Sequence, residues 1–340
     1  MTQLSPAEIR ARRAEAPKTR ARDLAHQLGL REAELVAAHL GQGATRISAD
    51  PRRLMPALAA LGPVMALTRN ESAVLEKTGT YAEYRGGDHA GVVINGEIDL
   101  RVFPAHWVHA FAVEEEGRQS IQVFDAAGDA VHKIYLRDAS DRDAWAPLVD
   151  GLREDGPLAL RPRRPPVRAK GDPARAADLR RDWLAMTDTH QFFPMVGRLG
   201  MNRLGAYRIV ENDLARPLAP ASVTKLLEDT AAGGFPFMIF VGNMGMIEIH
   251  TGPIRKVVGM GPWINILDPG TSLHLRADRV AEVYAVNKPT VLGMARSVEC
   301  FDAEGELIAQ FYGVLKEGPA ATEPWAEVID ALPEADLEAV

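Results

Sequence analysis

Apolar residues recur at helical spacing up to Leu61, and again, after a second start, up to Ala232. After Leu61 short strand-like segments replace the helical spacing. Residues 64–68, 73–76, 91–94, 97–103, 110–114, 120–124 and 132–136 read as strands. Asn95-Gly96 and Ala127-Gly128-Asp129 stand between strands and favour tight hairpins. Helical periodicity returns over 142–153 and 322–332. Helices, then a run of strands, then a closing helix, without β-α-β alternation, predict an α+β fold with a large antiparallel sheet and flanking helices in each of two similar domains.

The two halves resemble each other. Asn70 and Gly79 match Asn243 and Gly252 at one offset of 173 residues, and Phe111-Ala112-Val113 matches Tyr284-Ala285-Val286 at the same offset. Phe124-Asp125-Ala126 then matches Phe301-Asp302-Ala303, and Tyr135 matches Tyr312, at 177. One small insertion therefore falls between those blocks. Leu28-Gly29-Leu30 matches Leu199-Gly200-Met201 at 171. A period this long means duplicated domains rather than a solenoid. The Arg- and Pro-rich stretch 160–171 blocks helix and sheet, so the expected organisation is 1–158, a linker at 159–172, and 173–340.

Composition narrows the function. A net charge of −7 weighs against a nucleic-acid binder. The turn at Ala25–Leu30 has the look of a helix-turn-helix, but Glu32 and Glu34 open its second helix and would meet phosphate, so a structural helix pair is expected. The chain has one cysteine, Cys300, and therefore no internal disulfide and no iron–sulfur cluster. The polar N-terminus lacks the apolar core of a signal peptide, and no apolar run has the length of a membrane span. A cytoplasmic protein without membrane insertion is expected. Phosphate-binding glycine loops, nucleophile elbows and zinc-spaced Cys/His clusters are missing from the sequence, and Gly86-Gly87-Asp88-His89 reads as a turn.

Two positions draw attention. Asp188-Thr189-His190-Gln191 has the form of a capping box, with Asp188 as N-cap and Gln191 at N3, and Gly200 stands where that helix ends. His190 then lies in a first helical turn, where the dipole favours the neutral imidazole that a metal ligand requires. A solvated first-turn histidine fits the same pattern. Arg101 lies in a strand whose alternation puts Ile98, Leu100 and Val102 on one face and Asp99, Arg101 and Phe103 on the other. An arginine beside an aromatic suits carboxylate binding over an apolar surface, and equally an ordinary exposed face.

Taken in order, these segments resemble the bacterial hemin-degrading factor family, of the HemS/HmuS/ChuS type. Asp188-Thr-His-Gln-Phe-Phe193, Phe240-Val-Gly-Asn-Met-Gly245, His250-Thr-Gly-Pro-Ile254, Trp263-Ile-Asn-Ile266, Asn287-Lys-Pro-Thr290 and Ile308-Ala-Gln-Phe-Tyr-Gly313 carry the likeness in the second half. Leu67-Thr-Arg-Asn70 and Arg101-Val-Phe-Pro-Ala-His-Trp107 carry it in the first. The resemblance spans about residues 20–335. It implies haem (iron protoporphyrin IX) bound in a cleft between two similar domains, with His190 as the iron ligand. It also implies Arg101 and Phe103 on the haem's other side, Arg101 being the catalytic candidate. Arg203, Lys288 and Tyr312 match polar groups near the propionates or pocket wall, and Phe240 a wall residue. Relatives carry Gln-Arg after Tyr312-Gly313, where this chain has Val314-Leu315, so polar contacts from those two positions are not expected. Thr19 stands at the first-half equivalent of His190, so one haem is expected.

Two functions follow from the resemblance. One is an enzyme of iron acquisition that opens the haem ring with O₂ and an external reductant and releases iron. The other is a chaperone that passes haem to a separate oxygenase. A haem-uptake ABC transporter, a reductase or a haem oxygenase would be the partner. A two-domain protein without haem is the plain alternative.

Overall fold

A computed structural model describes residues 4–81 and 83–335. The outermost residues of the two expected domain spans lie outside these. Two compact units are present. The first takes in residues up to 69, 75–164 and 242–248, and the second 70–74, 165–241 and the residues from 249 onward. All strand pairing is antiparallel in the registered ladders, and helices flank the strands, as the α+β reading expects.

In the first unit, strands Ala44–Ile47, His109–Glu115, Arg118–Phe124, Ala130–Leu136 and Pro63–Arg69 lie side by side in that order. Tyr84–Gly86, Gly91–Ile94 and Asp99–Val102 form a second run. The second unit repeats the plan with Ala215–Leu218, Glu282–Thr290, Gly293–Phe301, Leu307–Gly313 and Phe237–Gly242, and with Val257–Met260, Trp263–Asp268 and Thr271–Arg276. The long and short runs of a unit belong to different sheets.

The helical parts of the duplication repeat at atomic detail. Helix Ala21–Gln27 ends at Gly29, where φ is +67°, and the Leu30 and Gly29 N–H groups donate back to the Ala25 and His26 carbonyls. Helix Phe192–Arg198 ends at Gly200, φ +74°, with Met201 and Gly200 donating to Val196 and Gly197. Both are Schellman endings that only glycine adopts freely. The closing helices are Trp145–Leu152 and Pro319–Asp330. The stretch that looked like a DNA-reading motif buries Glu32, which pairs with Lys133 and Arg69. This acidic residue holds the helix to the sheet.

The Arg/Pro stretch has no regular structure but is tied down. Arg161 N–H donates to the Ala126 carbonyl, and Arg163 pairs with Asp129. In the second unit, Val167 N–H donates to Glu306 and Lys170 N–H to Asn202. Ala126 and Asp129 lie in one hairpin turn and Glu306 in the corresponding turn of the repeat, so the duplicated turns grip successive parts of the strap.

Candidate functional site

The second unit gathers three of the positions singled out in the sequence, Arg203, Lys288 and Tyr312, around a carboxylate that was not. Lys288, Glu299 and Tyr312 sit on the adjacent strands Glu282–Thr290, Gly293–Phe301 and Leu307–Gly313. Arg203 begins the short helix Arg203–Tyr207, capped by Asn202, whose side chain accepts the Gly205 N–H. Glu299 is fully buried. Its Oε2 accepts from Arg203 Nη1 at 3.0 Å and from the Tyr207 hydroxyl at 2.9 Å. Its Oε1 accepts from Lys288 Nζ at 2.6 Å, Ser297 Oγ at 3.0 Å and the Tyr312 hydroxyl at 3.2 Å. Burial alone would raise this carboxyl's pKa, but Lys288 and Arg203 outweigh that and hold it down at about 2. Two cations against one carboxylate leave a net positive charge.

Aromatic rings frame this charge. Phe240 meets Tyr312 edge-on, with centroids 5.2 Å apart. Lys288 Nζ lies 4.9 Å from the Phe192 ring, and the Arg203 guanidinium 4.7 Å from the Phe193 ring. Phe192 is buried, whereas Phe193 is 57% exposed.

His190 belongs to the same segment as those rings. Asp188 caps the turn Thr189–Gln191 as expected, accepting the His190 N–H at 2.8 Å. The turn is 3₁₀, however, and passes into the helix Phe192–Arg198. The reciprocal half of the capping box is displaced by one residue: Gln191 Oε1 accepts from Thr187 N–H, not from Asp188. The His190 side chain is 94% exposed, with Nδ1 2.6 Å from Asp188 Oδ1. A carboxylate only accepts, so this contact puts a proton on Nδ1 and, in the neutral ring a metal ligand requires, leaves Nε2 facing away from Asp188 as the free acceptor. The backbone and ring contacts with His190 hold the Asp188 carboxyl below its ordinary range.

The first unit holds Arg101 and Phe103. Leu100 and Val102 are fully buried and Arg101 is partly exposed, so the alternation reads as expected. Asp99, on the same face, forms an ion pair with the guanidinium, which also donates to the Leu100 carbonyl. Phe103 follows the strand, and its N–H donates to the Gly245 carbonyl. Thr19, the counterpart of His190, closes a turn onto Ala16. Val314 is buried and Leu315 opens a 3₁₀ turn. Cys300 is buried, and burial pushes its thiol up to about 12, so it offers no thiolate. Among the described residues no group of three or more His, Cys, Asp or Glu side chains is arranged to hold a metal ion by itself, and no helix is long and apolar enough to cross a membrane.

Glu299 and Tyr207 escaped the sequence reading. The available signal was an acid within the otherwise apolar run Val298-Glu299-Cys300-Phe301, which lies in the strand Gly293–Phe301. A buried acid demands cationic partners, and those partners are Arg203 and Lys288.

The haemin-degrading HemS/ChuX domain matches the chain twice, at residues 29–152 and 200–332. The hemin transport protein HmuS of Yersinia pestis is 40% identical over 334 residues, covering 96% of both chains. The holo structure of PhuS, a heme-binding protein from Pseudomonas aeruginosa, superposes with a TM-score of 0.92 at 42% identity, covering 98% of this chain and all of that one. ChuS, a heme degrading enzyme of Escherichia coli O157:H7, gives a TM-score of 0.90 at 35% identity, covering 97% and 100%. With two copies of one domain and relatives matching along nearly its whole length, this chain belongs to the haemin-degrading HemS/ChuX family.

Proposed function

We propose that the chain binds one haem as its cargo through His190 and opens the ring with O₂ and an external reductant, releasing iron for the cell. The observation that carries this reading is the exposed His190 imidazole, its Nδ1 engaged by Asp188 and its Nε2 open. Neutral imidazole is an ordinary haem ligand. The neighbouring groups suit the rest of the molecule. An exposed Phe193 and the Phe240 ring offer apolar surface, and the net positive charge of Arg203, Lys288 and Glu299 favours a propionate. In the first unit the counterpart of His190 is Thr19, which supports a single haem. Arg101 and Phe103 are proposed to act on the haem as well, Arg101 by orienting water or oxygen.

Haem carriage without degradation is the second reading. The chain has one buried cysteine and no flavin or iron–sulfur motif, so electrons must come from a separate reductase. The relative at 42% identity is described as heme-binding, and ChuS as a heme oxygenase. An uptake transporter on the supply side, and an oxygenase on the receiving side in the carrier case, are the proposed partners, with the cytoplasm as the setting. Haem titration of the wild type and His190→Ala tests the shared claim, through loss of affinity and a shifted Soret band in the variant. Oxygen with a reductase and catalase then separates the readings: CO and iron release support the enzyme, and intact haem supports the carrier.

A further inference from the structure

The insertion seen as a change of offset between the repeats has a definite place. In the first unit, strands His109–Glu115 and Arg118–Phe124 are seven residues each. Their counterparts Glu282–Thr290 and Gly293–Phe301 are nine each. The second unit's hairpin is therefore four residues longer, which equals the difference between offsets 173 and 177.

The two tips differ in chemistry. The short hairpin turns through Glu116 and Gly117, both at positive φ, as a polar two-residue turn normally does. The long one turns through Val291 and Leu292. Here the turn is fixed by other residues: Thr290 Oγ1 accepts the Leu292 N–H and donates to the Gly293 carbonyl, and Gly293 takes the positive φ, +117°. The fold makes no use of the Val291 and Leu292 side chains, which are 82% and 61% exposed. Two adjacent apolar side chains held out in water at a hydrogen-bonded tip are placed to cover an apolar ligand.

The tip is fastened to the His190 turn. Val291 N–H donates to the Thr187 carbonyl at 3.0 Å. Thr187 in turn is bonded by Gln191, and the next residue, Asp188, holds both the backbone and the ring of His190. The extended apolar tip thus occurs in the unit with the exposed histidine, and the short polar tip in the unit where threonine replaces it.

We infer that the four-residue extension supplies an apolar wall, Val291 and Leu292, against the porphyrin held by His190. The inference rests on the haem reading above. The wall shields the ring on the histidine side from water and slows haem loss, without contributing to the iron ligand.

The test compares the full-length wild type with Val291→Ser/Leu292→Ser. Both side chains are exposed, so the thermal midpoint should not move. Transfer of haem to excess apomyoglobin should run about tenfold faster in the variant, from loss of partial apolar cover, with the Soret position unchanged. Val291→Ile/Leu292→Met should keep the wild-type rate. An unchanged transfer rate in the serine variant overturns the wall. So does an unchanged rate accompanied by altered self-association in size-exclusion chromatography, which would assign the tip to a second copy. A wild type that takes up no haem removes the haem reading itself, and the wall with it.

Discussion

Asn243 donates its side-chain amide to the Val131 carbonyl at 2.8 Å, and its repeat counterpart Asn70 donates to the Ile308 carbonyl at the same distance. The two acceptors are themselves counterparts, 177 residues apart. Each asparagine also accepts two backbone N–H groups of the turn that follows it: Gly245 and Met246 for Asn243, Ser72 and Ala73 for Asn70. These are the residues that each half lends to the other's compact unit.

Asn243→Ala should therefore cost about 2–3 kcal/mol in urea unfolding, since the Arg69 and Val131 carbonyls lose their donor together and the turn loses its acceptor. Asn243→Asp should be no better, because a carboxylate cannot donate to two carbonyls. A loss below about 0.5 kcal/mol in both variants would mean that the turn holds without the side chain.

The asparagines show what was legible. Both entered the repeat as bare identities, and each side chain proves to make several backbone bonds, four for Asn243 and at least three for Asn70, that no other residue type supplies. Strands with strict alternation, and helices ended by Gly29 and Gly200, could be read for the same local reasons. Ala44–Ile47 and Ala215–Leu218 could not. Each is four residues of mixed polarity after helical sequence, and each becomes a strand only by pairing with a partner about 70 residues away. At the site, the cap on His190 was legible because it is local. The Glu299 hub was not, since its donors come from positions 203, 207, 288, 297 and 312.

Glu299 should make the second unit sensitive to acid. Its carboxyl is held at about 2, against an ordinary value of about 4.3. A depressed carboxyl contributes stability that is fully present above the ordinary value and lost as pH falls toward the folded one. Urea midpoints should thus drop between about pH 5 and pH 2. Glu299→Gln should flatten that slope and cost about 3–5 kcal/mol at neutral pH, because Lys288 and Arg203 stay buried without their counter-charge. A variant as stable as wild type at pH 7 would show that the two cations do not depend on this carboxylate.

The first unit should respond to base as well. Glu248 is fully buried on strand Met246–Gly252, and burial raises its carboxyl to about 8. The unfolded chain ionises this group near pH 4.3 while the folded chain keeps it protonated, so its stabilising contribution falls as pH rises from about 4.5 to 8. His132, hydrogen-bonded to Thr68 and Tyr81, is pushed by burial down to about 3, so its contribution falls as pH drops below about 6.5. Glu248→Gln copies the neutral acid and should gain stability over wild type at pH 8 but not at pH 4. Equal pH slopes in the two proteins would mean that Glu248 is ionised in the folded chain.

Arg101 should separate chemistry from binding. Its guanidinium is already paired with Asp99 and bonded to the Leu100 carbonyl, so it has little unsatisfied charge to devote to ground-state affinity. A planar, permanently protonated group with donors to spare is nevertheless well suited to orienting water or oxygen. Arg101→Ala should accordingly bind haem within about tenfold of wild type and keep its Soret position, yet release little CO or iron when O₂, reductase and catalase are supplied. Arg101→Lys should recover only part of that turnover, because a point charge cannot copy the fork. Asp99→Asn, which removes the counter-charge but leaves the guanidinium, should keep turnover. If wild type itself leaves haem intact under these conditions, the carrier reading stands and Arg101 has no turnover to support. If Arg101→Ala equals wild type in affinity, spectrum and haem loss alike, the strand face that carries it has no part in haem handling.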